Sequence, residues 1–357
     1  MAEVIETLPG PATSTLPSET NSGEQDPHPR LADYKARSIR CSQEERRFNL
    51  LLEQKERRGD SFNASRGIIA AISSNDDVAD EEMEWNKIEE AKKACGFSDK
   101  LMMSEWLIEV PSNLADSWYM VPCPKGRRTL IITARGSTRS YNKYGCFTAS
   151  FPSVLPGGHG RGPSSHGSTI LDCIWHAQSK TYYILDVLAW NNQPLLDCET
   201  EFRFFWLQSK IRETEGISER SDENQYPFIL LPHYPCESET LTTIMAMHPP
   251  FADETVILDG LLFYHSQCHY HCGTTPLVGW LKPFMLPDIL NIPVAQEYMA
   301  MKPEGYKNLI EHAEQQIQAL KSKKWYKVKK KKKKPSTKQE SMEITVSEEE
   351  LDSHDQS

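Results

Sequence analysis

Short apolar runs rich in β-branched and aromatic residues recur between about residue 97 and residue 292. Runs of this length and composition are typical of β-strands. Neighbouring strands with few helical segments between them favour antiparallel sheets, so the pattern predicts an α+β fold made mainly of antiparallel sheets. The predicted strands cover residues 118–121, 129–133, 169–171, 182–185, 202–206, 228–231 and 261–264.

Other parts of the pattern are less decided. Residues 199–210 and 240–247 have apolar positions that suit helical turns as well as strands. Residues 155–163 read LPGGHGRGP, a composition that predicts a mobile loop. We predict a helix over residues 304–327, for which the sequence indicates no packing partner.

A capping box at residues 42–45, Ser-Gln-Glu-Glu, predicts a helix from residue 43 to about residue 58. Its apolar stripe, which contains Phe48, Leu51 and Leu52, is too thin to be buried in a core. Arginines cover much of the remaining surface. The helix is therefore either a solvated spacer or a segment that an acidic partner orders.

Charge and composition divide the chain into five segments. They are a disordered arm, a basic helical segment, an acidic linker, a folded domain and a tail that is first lysine-rich and then acidic, over residues 1–27, 28–69, 70–96, 97–292 and 293–357. The lysine-rich part of the tail is either a solvated segment or a nuclear-import or RNA-contacting one.

The bulk properties exclude several classes. With 357 residues and a net charge of −10, the chain is too acidic to coat nucleic acid generally. No window approaches 18 continuous apolar residues, so we expect no membrane span. The first residues lack the pattern of a signal peptide. The nine cysteines contain no CxxC pair, which favours reduced thiols in the cytosol or nucleus.

Basic residues are concentrated between Lys125 and Lys143, which hold six Lys or Arg and no acid. The surrounding residues 94–320 contain 16 Lys and Arg against 24 Asp and Glu. A cation cluster in an anionic domain predicts a focused phosphate site rather than general attraction to nucleic acid. The alternative is a strand pair with an exposed basic face.

Three short motifs follow one another along the chain: Cys123-Pro-Lys-Gly-Arg-Arg128; Ile170-Leu-Asp172-Cys-Ile174 followed by a strand that contains Asp186; and Leu258-Asp259-Gly-Leu-Leu-Phe263 with the segment 275–283. In this order they resemble the nucleotidyltransferase motifs of mRNA capping enzymes and DNA ligases. The resemblance implies a similar core fold with a nucleotide pocket.

The chemistry of nucleotidyl transfer is missing from these motifs. Cys123 stands where those enzymes have a nucleophilic lysine, and Cys173-Ile174 replaces their Gly-Glu pair. Transfer needs an activated amine and carboxylates that hold Mg²⁺. We therefore expect a binding protein without a cofactor, and an active RNA guanylyltransferase or ligase is the alternative.

A closer resemblance rests on Ser104-Glu-Trp106-Leu107, the segment 123–143, Leu155-Pro-Gly-Gly158, Asp259-Gly-Leu-Leu-Phe-Tyr-His265, Thr275-Pro-Leu-Val-Gly-Trp280 and the N-terminal segment 28–66. These segments resemble the snurportin family, the import adaptors of spliceosomal snRNPs. The resemblance implies binding of the 2,2,7-trimethylguanosine cap of U snRNAs, import through importin-β, and shuttling between cytoplasm and nucleus. We expect a monomer. A general RNA-binding protein that uses the lysine-rich tail is a further alternative.

An alkylated guanine carries positive charge and is bound best by an indole face. The resemblance implies that Trp280 is the stacking platform and that Trp106 contacts the methylated edge, although a single tryptophan is more often a core residue. It assigns the base edge to Ser104 and the phosphates mainly to Arg128 and Lys143. The predicted cap site comprises Ser104, Trp106, Cys123, Arg127, Arg128, Thr129, Lys143 and Trp280.

For the N-terminal segments the resemblance implies two transport receptors. The predicted importin-β contacts are Arg30, Arg46, Arg47, Arg57 and Arg58, and the predicted contacts with a nuclear export receptor are Met1, Val4 and Leu8. Pro9-Gly10-Pro11 departs from the family's pattern directly after Leu8. A tail with incidental hydrophobic residues is the alternative for this end.

Residues 265–272, HSQCHYHC, place five potential metal ligands close together. Spacing of this kind is compatible with zinc, but a strand that leads into a loop without metal is the favoured interpretation. Asp172, Asp186 and Asp259 are interpreted as structural for a related reason, because the accompanying glutamate is missing.

Overall fold

The computed structural model describes residues 42–56, 97–159, 167–248, 250–316 and 318. From Gln43 onward, these residues belong to one compact unit. Two β-sheets with short flanking helices form it, which confirms the predicted α+β class. Within these ranges, no helix combines the length and the apolar character that a membrane span requires.

The first sheet has five strands in the order β1-β12-β11-β2-β10. Only β1 and β12 run parallel, and the other neighbours are antiparallel. The strands are β1 (Met102–Trp106), β2 (Trp118–Pro124), β10 (Tyr234–Pro235), β11 (Leu258–His265) and β12 (Gly273–Leu281).

The second sheet has the order β5-β4-β3-β6-β7-β8, with β9 parallel to β7. A two-residue turn joins β3 to β4, and both of its residues, Arg135 and Gly136, have positive φ of 52° and 78° as tight hairpins require. The strands are β3 (Arg127–Ala134), β4 (Ser137–Asn142), β5 (Phe147–Phe151), β6 (Thr169–His176), β7 (Thr181–Trp190), β8 (Gln193–Pro194) and β9 (Phe228–Leu230).

The helices of the described residues precede, connect or follow the strands. They are α1 (Gln43–Glu56), α2 (Leu114–Ser117), α3 (Thr200–Glu213), α4 (Ser238–Met245), α5 (Leu286–Leu290), α6 (Gln296–Ala300) and α7 (309–316), with a short 3₁₀ turn at Pro283–Met285. The helical alternative for residues 240–247 is thereby confirmed, and the predicted helix at 43 has the predicted start.

The second sheet separates two hydrophobic cores. Leu130 and Ile132 of β3 belong to the core shared with the first sheet, whereas Ile131 belongs to the other core. Successive residues of a strand point to opposite faces. On β3, even-numbered side chains therefore face the first sheet and odd-numbered ones face away from it, which decides where the arginines of this strand lie.

The predicted strand at residues 202–206 is wrong, because this segment lies in α3. Its buried positions Arg203, Phe204 and Leu207 follow a helical spacing, while Phe202 and Phe205 are 44% and 64% exposed. Aromatic enrichment suggested a strand, but burial of one helical face against β7 and β11 determines the element.

The folded part continues past residue 292, the predicted end of the domain. Tyr298, Leu309 and Ala313 are buried in the core that contains the first sheet. Asn308 caps α7, since its Oδ1 accepts a hydrogen bond from the Glu311 amide at 2.8 Å. The helix predicted without a partner therefore packs against the domain.

Candidate functional site

Four of the predicted site residues lie on one face of the first sheet: Ser104, Trp106, Cys123 and Trp280. Trp106 pairs with Trp280 across β1 and β12, and Trp280 pairs with Leu262 of β11. Two residues before Leu262, Gly260 pairs with Cys123 of β2. Paired residues, and residues two apart on a strand, point to the same side of a sheet. The register thus brings distant parts of the sequence together.

The Trp280 ring is 1% exposed and lies against the backbone of β11. A Cβ added to Gly260 would be 2.2 Å from Cζ2 of that ring, so only glycine permits this contact. The ammonium of Lys282 lies over the ring, 5.4 Å from its centroid. The same ammonium is 2.8 Å from Oδ1 of Asp259.

Trp106 is 8% exposed and is contacted by α7. The His312 imidazole meets its ring edge-to-face, with 5.7 Å between centroids and an interplanar angle of 89°. His312 also lies within ring contact of Phe284 and Tyr306. The C-terminal helix therefore forms part of the wall around this tryptophan, which the sequence did not indicate.

Cys123 is fully buried, and its Sγ donates a weak hydrogen bond to the Val121 carbonyl at 3.5 Å. Burial raises the pKa of this thiol to about 12. A nucleophilic cysteine needs a depressed pKa and access to its substrate. The residue at the position of the enzymes' lysine therefore remains a protonated thiol.

Arg128 is 7% exposed and forms a two-bond ion pair with Asp172 of β6. Its Nε and Nη2 donate to the two carboxylate oxygens at 2.6 and 2.7 Å, and Nη2 also donates to the Met102 carbonyl at 3.0 Å. Tyr270 donates its hydroxyl to the same carboxylate at 2.7 Å. This pair joins the second sheet to β1, next to Ser104.

Two of the remaining phosphate candidates, Arg127 and Thr129, do not share a face with Arg128. Arg127 and Thr129 have odd numbers on β3 and point away from the first sheet, where Thr129 donates to the Arg127 carbonyl at 2.9 Å. Lys143 follows β4, and its ammonium is 5.2 Å from the centroid of the Tyr144 ring.

Helix α1 packs on the first sheet through polar side chains. Gln43 donates to the Trp106 carbonyl at 3.0 Å, and Arg46 forms two 2.7 Å hydrogen bonds to the Glu105 carboxylate. Arg47, 4% exposed, donates to the Pro276 and Glu109 carbonyls at 3.2 and 2.8 Å.

The helix is therefore not a solvated spacer, and of the predicted apolar stripe Leu51 packs against the core. Phe48 and Leu52 remain 62% and 44% exposed. Burial lowers the pKa of the Arg47 guanidinium to about 10. Its hydrogen-bond acceptors among the described residues are carbonyl oxygens, which compensate only part of its lost hydration.

The other predicted receptor contacts lie outside the described residues. They are Arg30, Arg57 and Arg58 for importin-β and Met1, Val4 and Leu8 for the export receptor. In the segment 265–272, Cys268 donates to the His269 carbonyl and His265 accepts from the Gln267 amide. Across the described ranges, no three His, Cys, Asp or Glu side chains are grouped as metal ligands would be.

Sequence reasoning missed the Asp259–Lys282 pair over Trp280 and the approach of His312 to Trp106. Asp259 and Lys282 each belong to a motif described above, but their spacing in the sequence does not indicate that they are in contact. Only the antiparallel register of β11 and β12 places them at the same end of the sheet.

The fold and this face define a class of protein: a two-sheet α+β domain with two paired tryptophans and a buried, protonated cysteine in place of the enzymes' nucleophile. The model of the m3G cap-binding domain of Snurportin1 matches residues 100–283, and a second Snurportin1 model matches residues 28–67. The chain belongs to the snurportin family, whose members are cap-binding import adaptors rather than enzymes.

Among solved structures, the chain is similar to the ligase domain of LigD from M. tuberculosis, at 12% identity and a TM-score of 0.33, over 50% of this chain and 58% of that one. It is also similar to a mycobacterial DNA ligase D complexed with ATP and MES, at 12% identity and a TM-score of 0.32, over 51% and 60% of the two chains. The match thus spans less than two thirds of either ligase. The similarity at this level is distant.

Proposed function

We propose that this protein binds the 2,2,7-trimethylguanosine cap of spliceosomal U snRNAs and links the particle to importin-β for nuclear import. The observation that carries the proposal is the pairing of Trp106 with Trp280 on one sheet face, inside the segment that matches the cap-binding domain. A cationic purine that stacks on Trp280 would have its methylated edge near Trp106, an apolar contact that favours three methyl groups over one.

The phosphates would be bound at the edge of this face. Arg128 uses Nε and Nη2 in its bonds to Asp172 and Met102, which leaves its Nη1 group outside these bonds. A charge-assisted contact from Nη1 to a phosphate oxygen would not require the buried ion pair to break. Lys143 would bind from the end of β4. Arg127 and Thr129 point to the other side of β3, so we assign them no direct contact with the same phosphates.

Importin-β would bind the basic segment 28–69, which includes α1. Arg46 and Arg47 are held by acceptors of the domain itself, so a receptor that uses them has to replace those bonds. The export receptor would engage Met1, Val4 and Leu8, and the protein would shuttle between cytoplasm and nucleus.

Fluorescence titration with trimethylated, monomethylated and unmethylated cap dinucleotides tests the cap assignment. We expect the trimethylated cap to bind tightest, and Trp280→Leu to weaken it by about 5- to 150-fold, the equivalent of one lost stacking contact of about 1–3 kcal/mol. The matched control is Trp206→Leu, since Trp206 lies on α3 and packs in the other core. A folded Trp280→Leu protein with wild-type affinity would show that the site is elsewhere.

A further inference from the structure

Two groups that lie against the Trp280 ring differ in their freedom to move: the backbone of β11 at Gly260 and the ammonium of Lys282. Gly260 lies so close to the ring that its backbone covers one side, and β11 would have to leave the sheet to expose it. The Lys282 ammonium lies over the ring at the end of a flexible four-carbon chain, and the Lys282 side chain is 20% exposed. A ring that is 1% exposed accepts no stacked base until such a covering group moves.

The ammonium over the indole makes the same type of contact that an N7-alkylated guanine would make. Both are cations attracted to the negative face of the ring. Because the ammonium lies 2.8 Å from Asp259 Oδ1 and 5.4 Å from the ring centroid, a cation at this place reaches the carboxylate and the indole together.

Asp259 has a second oxygen that the described residues leave without a partner. Its Oδ2 is buried and accepts no hydrogen bond from any of them. A buried acceptor in this state costs free energy, and it is satisfied when a donor arrives. A 2,2,7-trimethylated guanine has lost the hydrogens of its exocyclic nitrogen but keeps one ring N1–H donor.

We propose that Lys282 holds the place of the cationic base in the empty site, and that Asp259 is the acceptor that reads the N1–H of an N7-alkylated guanine. The inference rests on the proposed cap-binding function and assigns two specificity residues to it. On binding, the base replaces the ammonium over Trp280, and the Asp259 carboxylate exchanges one cation for another. A neutral guanine would displace Lys282 without replacing its charge, which disfavours the unmethylated ligand.

The first test uses the 2,2,7-trimethylguanosine nucleoside, which has no phosphates, and measures quenching of intrinsic fluorescence. Lys282→Met removes the competing charge and keeps an apolar stem, so we expect the nucleoside to bind roughly 2- to 30-fold tighter, the range of one cation–π contact. The matched control is Lys210→Met. Lys210 also lies over a tryptophan, 5.2 Å from the Trp206 ring, and pairs with Glu213 at 2.6 Å, but on α3. We expect wild-type affinity for this control.

The second test uses Asp259→Asn, which keeps the shape of the side chain and removes its charge. We expect the trimethylguanosine nucleoside to bind roughly 10- to 100-fold more weakly, the loss of a hydrogen bond between charged groups. A nucleoside that is additionally methylated at N1 keeps its positive charge but has no N1–H to donate. Asp259→Asn should therefore weaken its binding less than it weakens binding of the parent nucleoside. Thermal melting of each variant checks that it is folded.

The outcomes distinguish a failure of the proposed cap-binding function from a failure of the roles assigned to Lys282 and Asp259. If the wild type binds no methylated cap or nucleoside, the proposed function itself fails. If it binds the cap but Lys282→Met leaves nucleoside affinity unchanged or lowers it, the place-holding role of Lys282 is overturned while cap binding stands. If Asp259→Asn weakens the N1-methylated nucleoside as much as its parent, the carboxylate does not read N1–H.

Discussion

Gly260→Ala is the most direct perturbation of the Trp280 ring. The new Cβ would lie 2.2 Å from Cζ2 and 2.4 Å from Cη2, whereas ordinary contacts begin at 3.4 Å. The ring therefore has to retreat by about 1.2 Å, the difference between 3.4 and 2.2 Å. Overpacking of this kind in a core costs about 1–3 kcal/mol of folding stability.

The retreat also moves the ring towards the side on which the base would stack. We expect Gly260→Ala to lose most of one stacking contact, about 1–3 kcal/mol, so that the trimethylated cap binds about 5- to 150-fold more weakly. Cap affinity is measured by isothermal titration calorimetry, and stability by urea unfolding of the same preparations.

Gly279→Ala is the matched control, because Gly279 precedes Trp280 on β12 and points to the opposite face. Its Cβ would meet the Leu107 side chain at 2.8 Å, so this variant is also overpacked but leaves the indole in place. We expect a loss of stability with cap affinity within about 2-fold of wild type. A folded Gly260→Ala protein that binds normally, or an equal loss of affinity in both variants, would show that the position of the Trp280 ring does not determine cap affinity.

Three further predictions concern the surrounding structure. Arg203 and Asp186 form an ion pair with both side chains 0% exposed, so Arg203→Met should cost about 3–5 kcal/mol by urea unfolding, and adding Asp186→Leu should recover most of it. Burial lowers the pKa of His265 from 6.5 to about 4. The unfolded chain therefore takes up this proton first as the pH falls from 6.5 to about 4, and stability should decrease by about 3 kcal/mol over that range, less steeply in His265→Asn. Glu105→Gln removes the charge that holds Arg46, a partly exposed pair worth about 1 kcal/mol, and calorimetry should show importin-β binding up to about 5-fold tighter; unchanged binding would mean that α1 needs no release.

Six of the twelve strands in the described residues were predicted, and most of these six are buried on both faces. Strands β7 and β11 are buried along their whole length, and each contains a run of consecutive apolar residues, at 182–185 and 261–264. Residues 202–206 have a similar composition but lie in a helix. A run of five residues is too short for its periodicity to distinguish a helix from a strand, so composition alone gave the wrong element. Packing against β7 determines that this segment is helical, and the local sequence does not reveal that contact.

The site was predictable only where a motif contains its chemistry. Trp280 and Trp106 were found by resemblance, but the cations and carbonyls around them come from other parts of the fold. Helix α1 shows the reason most clearly. Gln43 and Arg47 are buried against backbone carbonyls of Trp106, Glu109 and Pro276, and no side-chain pattern identifies a backbone acceptor in advance.

The three aspartates of the nucleotidyltransferase-like motifs, which we interpret as structural from the sequence, are each paired with a cation of this chain. Asp172 pairs with Arg128, Asp186 with Arg203 and Asp259 with Lys282. A divalent cation would have to displace these side chains, two of which are almost fully buried and make further hydrogen bonds. Breaking a buried pair costs about 3–5 kcal/mol, and a bound Mg²⁺ would have to offset this cost.

We therefore expect Mg²⁺ to leave both the melting temperature and the affinity for the trimethylated cap unchanged, and chelation to have no effect on either. Calcium serves as the control for ionic strength, since it adds the same charge with a different preference for ligand geometry. A magnesium-specific rise in melting temperature that Asp172→Asn abolishes would contradict the argument. It would show that the carboxylates bind Mg²⁺ and that the neighbouring arginines do not replace the metal ion as their positive partner.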